Sequence, residues 1–263
     1  MIFDGKKLSM SVIVFLWAGW MAQWTRAASP PPIQEVLQKT GRFVENYWQE
    51  ISLFTCNEMV TQEKLAKKGK LEFRQDSRFD YLALAKQHEE DLTIEEVRLP
   101  KKLPPNKPNK PSLLNTNGFP SLLLVFHPLY QSNYHYDFIQ GGSDKEVWIR
   151  FEHILGTPST SALLLRKRIY SLDMQGTAVI DVESGAIIKL DASLAAPMKE
   201  INIEALNVEV NYKPQNLLSE TDGRWLPSSA VIEIQTALQR WRNIHRFSDY
   251  KRFTVKSEEI SFR

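Results

Sequence analysis

The chain predicts an α+β fold, a strongly curved antiparallel β-sheet (a half-barrel) wrapped over one long helix and one short one. Three observations predict it. Residues 176–255 alternate apolar and polar side chains with a period of two. Residues 33–51 repeat apolar side chains at steps of three and four. Between them, residues 118–131 hold a dense apolar run bracketed by prolines. A period of two places the apolar set on one face of a strand, whereas steps of three and four place it on one stripe of a helix.

The chain has 263 residues, enough for one large domain or two small ones. Its formal charge is +2, from 33 basic and 31 acidic side chains. Residues 1–27 hold Lys6, Lys7 and Arg26 against Asp4, so the remainder carries 30 of each sign and is neutral. A neutral chain lacks the basic stripe that nucleic acid demands, and no nucleic-acid partner is expected. Cys56 is the only cysteine, which rules out an intramolecular disulfide and a cysteine-based zinc cluster. It reads as a small buried hydrophobe in a strand.

Residues 1–27 read as a secretory signal peptide. Lys6 and Lys7 form a basic start, an apolar run follows from Leu8 to Trp24, and Ala27-Ala28 supplies small residues for cleavage. The competing reading is an uncleaved inner-membrane anchor. A spanning helix needs about 20 apolar residues, and this run is shorter, so cleavage and a periplasmic or secreted location are the expectation. Residues 28–263 then form a single domain.

Pro30-Pro31-Pro32 opens the long helix, where proline in the first turn costs little. Ile33, Val36, Leu37, Thr40, Val44, Tyr47, Trp48 and Ile51 make its stripe, widened by Phe43. Gly41 interrupts it at a cost of about 1 kcal/mol relative to alanine. The polar face lacks a Lys/Arg excess, so the stripe is read as covering a sheet and not a membrane. LFTCNEMVTQEKL and LEFRQDSRFDYLALAKQ read as strands, His88 to Asp91 as a turn, and LTIEEVRL as the returning strand. Glu95 and Glu96 point to opposite faces, so they form no catalytic pair; both are read as solvated.

Residues 101–117 are rich in proline, asparagine and lysine and read as an insertion in one continuing meander. GFPSLLLVFHPLYQ reads as the short buried helix, ended by Pro128. YHYDFI and EVWIRFEHIL form a hairpin, and LLLRKRIYSLDMQ leads to the last meander. There, GTAVIDVESGAIIKLDASL, IEALNVEVNY, GRWLPSSAVIEIQT and RWRNIHRFSDYKRFTV supply the strands. Ile188, Leu190, Val208, Val210, Ile232 and Ile234 fall on the greasy face by alternation, and they are the candidate lining of an apolar ligand site.

Motifs for chemistry are absent from the sequence. There is no H-E-x-x-H, no G-x-S-x-G and no phosphate-loop pattern around Gly141-Gly142. No catalytic residue, metal or cofactor is assigned.

In this order of elements, the chain resembles the envelope lipoprotein-carrier fold, the LolA/LolB-like half-barrel. DVESG within GTAVIDVESGAIIKLDASL looks like that group's hairpin, and RWLPSSAVIEIQ followed by HRFSDYKRFTV looks like its last two strands. The chain is also similar to secreted acidobacterial proteins with LLLVFHP, DVESG and FSDYKRF-like segments. The resemblance spans residues 33–263 and implies a non-enzymatic periplasmic binding or carrier protein for a lipid, a lipoprotein acyl chain or another apolar ligand. The alternative is an envelope interaction or assembly factor with a filled core and a protein partner.

Overall fold

A computed structural model describes residues 31–253, except 67, 90, 102–117, 166 and 216–222. The expected signal peptide and nearly all of the 101–117 insertion lie outside the described residues. The long helix is α1, Ile33–Glu50. The strands are β1 (Phe54–Ala66), β2 (Leu71–His88), β3 (Asp91–Pro100), β4 (Tyr134–Ser143), β5 (Glu146–His153), β6 (Ala162–Leu165), β7 (Arg168–Ser171), β8 (Met174–Asp181), β9 (Ile187–Leu194), β10 (Ile203–Gln215), β11 (Arg224–Thr236) and β12 (Gln239–Arg252). The short helix is a 3₁₀ segment, Phe119–Phe126. Mostly β structure with one long helix and one short one is the expected architecture.

Among the described residues, ten strands form one antiparallel sheet in the order β3-β2-β1-β12-β11-β10-β9-β8-β5-β4, and β6-β7 form a separate hairpin. Strands β8 to β12 are the predicted meander. Strand β1 pairs with β12, which the sequence pattern does not reveal.

Register aligns the interior in cross-strand rows. Ile149, Ala178, Leu190, Val210, Ala230, His245 and Val60 stand opposite one another across seven strands. None is more than 4% exposed. A second row runs Phe151, Gly176, Ala192, Val208, Ile232 and Asn243. Facing side chains in such rows are the unit of sheet stabilisation. The 3₁₀ segment lies on this face. Phe126 meets Phe151 edge-on at 5.8 Å, and Phe119 sits 5.7 Å from Phe247. Leu123, Leu124, Val125 and Phe126 are all 0% exposed, which a dense apolar run flanked by prolines demands. Helix α1 covers the same face at Tyr212, whose ring stands 6.4 Å from Tyr47 at 87°.

Two glycines decide how α1 docks. A Cβ on Gly41 would lie 2.8 Å from Gln131 Nε2, and that amide donates to the carbonyls of Leu37 and Phe126. The mid-helix glycine therefore admits a side chain that ties α1 to the 3₁₀ segment. Gly185, at φ +73°, closes the DVESG turn directly against Lys39 of α1, and Lys39 Nζ donates to the Val182 carbonyl. Only glycine enters that left-handed region at no steric cost.

Strand β9 departs from simple alternation. Val179 pairs with Lys189, but Ile180 pairs with Ile187, so Ile188 is the extra residue of a bulge. Ile187 is fully buried while Ile188 is half-buried. The expectation that Ile188 shares the buried face with Leu190 is corrected for this reason.

Candidate binding site at the helix–sheet seam

Leu190, Val208, Val210, Ile232 and Ile234 are all buried, between 0% and 8% exposed, and belong to one core with α1 and the 3₁₀ segment. At the seam between α1 and β11 a pocket of about 100 Å³ opens instead, lined by Phe43, Tyr47, Ile51, Phe54, Trp225 and Leu226. Glu50 and Arg224 also line it and form an ion pair at 3.5 Å. Asn46 adds one uncharged polar side chain, and the remaining walls are aromatic and aliphatic.

The polar atoms around this seam are unusual. Among the described residues, the hydroxyls of Tyr47 and Tyr212 are buried without a hydrogen-bond partner, and so are Trp48 Nε1 and Thr40 Oγ1. An orphaned buried group costs about 1–3 kcal/mol. Burial, with Cys56 and Glu96 nearby, pushes the Tyr47 phenol far above its ordinary range; burial and Tyr47 do the same to Tyr212. Both therefore stay protonated and are donors in need of an acceptor. Tyr250, by contrast, donates to the Pro227 carbonyl at 2.7 Å. Burial pushes the Cys56 thiol up to about 12, so it is an inert thiol. The sequence stripe contains Tyr47, but nothing in alternation or periodicity says that its hydroxyl is unmet.

A second set of polar groups lies inside the protein. The side chain of Glu96 is 0% exposed, whereas the sequence reading has it solvated; its neighbour Glu95 is indeed exposed and pairs with Lys86. On β3, Leu92, Ile94, Glu96 and Arg98 alternate onto one side, and the last two carry charge into the interior. Arg98 donates through Nε to Glu58 Oε2 at 2.6 Å, through Nη2 to Glu58 Oε1 at 3.0 Å, and to Glu96 Oε1 at 2.8 Å. His245 Nδ1 lies 2.7 Å from Glu58 Oε1, and the Tyr81 hydroxyl donates to Glu96 at 2.9 Å. The Gly118 amide also donates to Glu96, and Phe119 packs on the His245 ring at 5.4 Å. This network clamps the start of the 3₁₀ segment to the sheet. Its carboxylates are taken up by partners within the network, and we assign it a structural role.

The network is pH-sensitive in a defined direction. Burial alone would push the Glu58 carboxyl up, but hydrogen bonds from His245 and Arg98 outweigh it and hold the carboxyl below its ordinary value. Burial wins at Glu96 over Arg98, Gly118 and Tyr81, and raises it above 4.5. A depressed carboxyl contributes stability that is lost as pH falls through its depressed value. A raised one contributes stability that is present below 4.5 and lost as pH rises through its raised value. Glu96→Gln is therefore expected to remove the decline in urea midpoint that wild type shows as pH rises from 4.5. An unchanged decline would place its source elsewhere.

Among the described residues, no three His, Cys, Asp or Glu side chains group to hold a metal ion, and no helix is long and apolar enough to cross a membrane. His153 pairs with Asp173 at 2.9 Å.

No family model matches the chain, and no curated protein matches its sequence. Among solved structures, it is similar to a chain described as an outer membrane lipoprotein-sorting protein domain from Vibrio parahaemolyticus, at 13% identity and a TM-score of 0.40, over 86% of this chain and 93% of that one.

Proposed function

We propose that this protein is a non-enzymatic binding protein of the bacterial envelope that takes the end of an acyl chain at the seam between α1 and β11. The observation that carries the reading is the pair of fully buried, unpartnered hydroxyls of Tyr47 and Tyr212, one of them in the wall of an apolar pocket. Donors without acceptors suit a ligand that brings an acceptor into an apolar place. A neutral ester or amide carbonyl fits better than a free carboxylate, because burying an unpaired charge costs far more than burying a carbonyl. The acyl chain of a lipid or of a lipoprotein carries such a carbonyl. Export through a cleaved signal peptide and residence in the periplasm belong to the same proposal.

A specific observation favours the second reading, an interaction or assembly factor with a filled core. The seam pocket is about 100 Å³, whereas small-molecule sites run to about 300–1,000 Å³. Five of the six candidate lining residues are packed in the core.

One experiment separates the two. Uptake of a fluorescent acyl methyl ester is measured for wild type, Tyr47→Phe and Tyr212→Phe, beside thermal melting. A carrier binds the ester, and each variant loses affinity for it by roughly tenfold, the equivalent of one hydrogen bond of about 1.4 kcal/mol. A filled core binds nothing, and each variant melts higher because a buried orphan has been removed.

A further inference from the structure

The face of the sheet opposite α1 carries a groove of about 800 Å³ whose walls hold Arg78, Lys101, Lys213 and Arg246, with Ser229 and Ser248 among them. Met59 of β1 stands opposite Arg78 on one side and Arg246 on the other. With strands about 4.8 Å apart, the two arginines straddle about 10 Å. Ser229 follows Arg246 on the next strand. Register shifts at Thr55/Asn57 and at Asn211/Tyr212 lie at the two sides of the groove and turn the strand there.

Charge on this face is distributed unevenly. Lower down the same strands, Arg74, Arg240 and Arg242 are matched by Glu63, Asp76 and Glu233 in a linked set of ion pairs. Around the groove the balance is broken. Lys101 pairs with Asp80 at 3.0 Å, and Asp249 accepts hydrogen bonds from Asn57 and Ser248. Arg246 acts on Asp76 only through space, and Arg78, Lys213 and Arg246 have no carboxylate at ion-pair distance among the described residues. Glu58 also borders the groove, but its side chain is 0% exposed and taken up by Arg98 and His245. Four cations beside Asp80 and Asp249 thus leave an excess of positive charge in a walled groove, beside serine hydroxyls.

We propose that this groove binds a phosphate-bearing anion. Guanidinium forks match phosphate oxygens in bidentate pairs, and a spacing of about 10 Å lets both reach one group between them. The site is on the face away from the acyl seam and does not depend on it. The phosphate comes either from a lipid headgroup or from a soluble phosphate ester.

The test uses the full chain, with phosphatidylcholine vesicles with and without phosphatidylglycerol as one probe and soluble pyrophosphate, by calorimetry, as the other. Binding to phosphatidylglycerol vesicles that falls by roughly tenfold or more in Arg78→Gln/Arg246→Gln, and is unchanged in Arg240→Gln, supports the groove and a lipid source. Pyrophosphate binding with the same dependence, and no vesicle binding, supports the groove and a soluble source. Lys213→Gln, at an exposed position, repeats the measurement should the double variant melt early. No binding of either probe, or binding that none of the groove variants weakens, overturns the proposal.

Discussion

Arg98→Met is expected to cost the fold about 3–5 kcal/mol, the usual result of removing one partner from a buried ion pair. Arg98 makes three hydrogen bonds to Glu58 and Glu96, whose side chains are both 0% exposed. Without the guanidinium, Glu58 retains His245, while Glu96 retains Tyr81 and the Gly118 amide. Two interior carboxylates would then share no full positive charge from β3. In melting temperature the loss amounts to roughly 6–20 °C for a chain of this size. Replacing Glu58, Glu96 and Arg98 together by apolar residues of similar volume should recover most of it, because the desolvation cost of all three charges disappears at once. A single-variant loss below about 1 kcal/mol would mean that water reaches the cluster.

Phe126→Ala is expected to cost a similar amount, about 3–5 kcal/mol. Phe126 is 0% exposed, lies 5.5 Å from the ring of Tyr136, and meets Phe151 edge-on at 5.8 Å. Its removal leaves a hole among aromatic rings that packed neighbours refill only in part. Engineered apolar holes of about 150 Å³ stay dry and accept small apolar molecules. The variant should therefore bind benzene, read as a rise in melting temperature with benzene present. Under the acyl-chain reading it should also take up the fluorescent ester more tightly than wild type, because interior volume is what the seam lacks. A loss under 1 kcal/mol would show that the 3₁₀ segment is peripheral to the core.

The parts of this molecule that were legible in the sequence are those governed by apolar periodicity. Val208, Val210, Ile232 and Ile234 alternate cleanly and are buried, and the α1 stripe buries Val36, Val44 and Tyr47. Ile188 failed because one inserted residue reverses the face of everything before it, and Ile187-Ile188 gives no apolar contrast by which to see the slip. Glu96 failed because its burial depends on Glu58 and His245 through Arg98, partners 38 to 149 positions away in the chain that only the sheet register brings together. Gly41 reads as a helix weakness until the Gln131 amide is seen to need its space. The groove cations were counted in the sequence as part of a neutral total, and their local excess depends on which carboxylates lie beside them.

The pairing of β1 with β12 also sets the order of events during synthesis. Phe54 stands opposite Arg252, and the His245–Glu58 contact spans 187 positions of chain. Among the described residues, the block β1-β2-β3 joins the rest of the sheet only through β12. A ribosome must deliver that last strand before the first block can pair with the rest of the sheet. Domains rich in such distant contacts fold slowly, because loop closure must precede the contacts that reward it. The sheet thus cannot close until elongation is nearly complete. That is the condition in which a secretory channel threads a polypeptide, and it gives chaperones time to hold one.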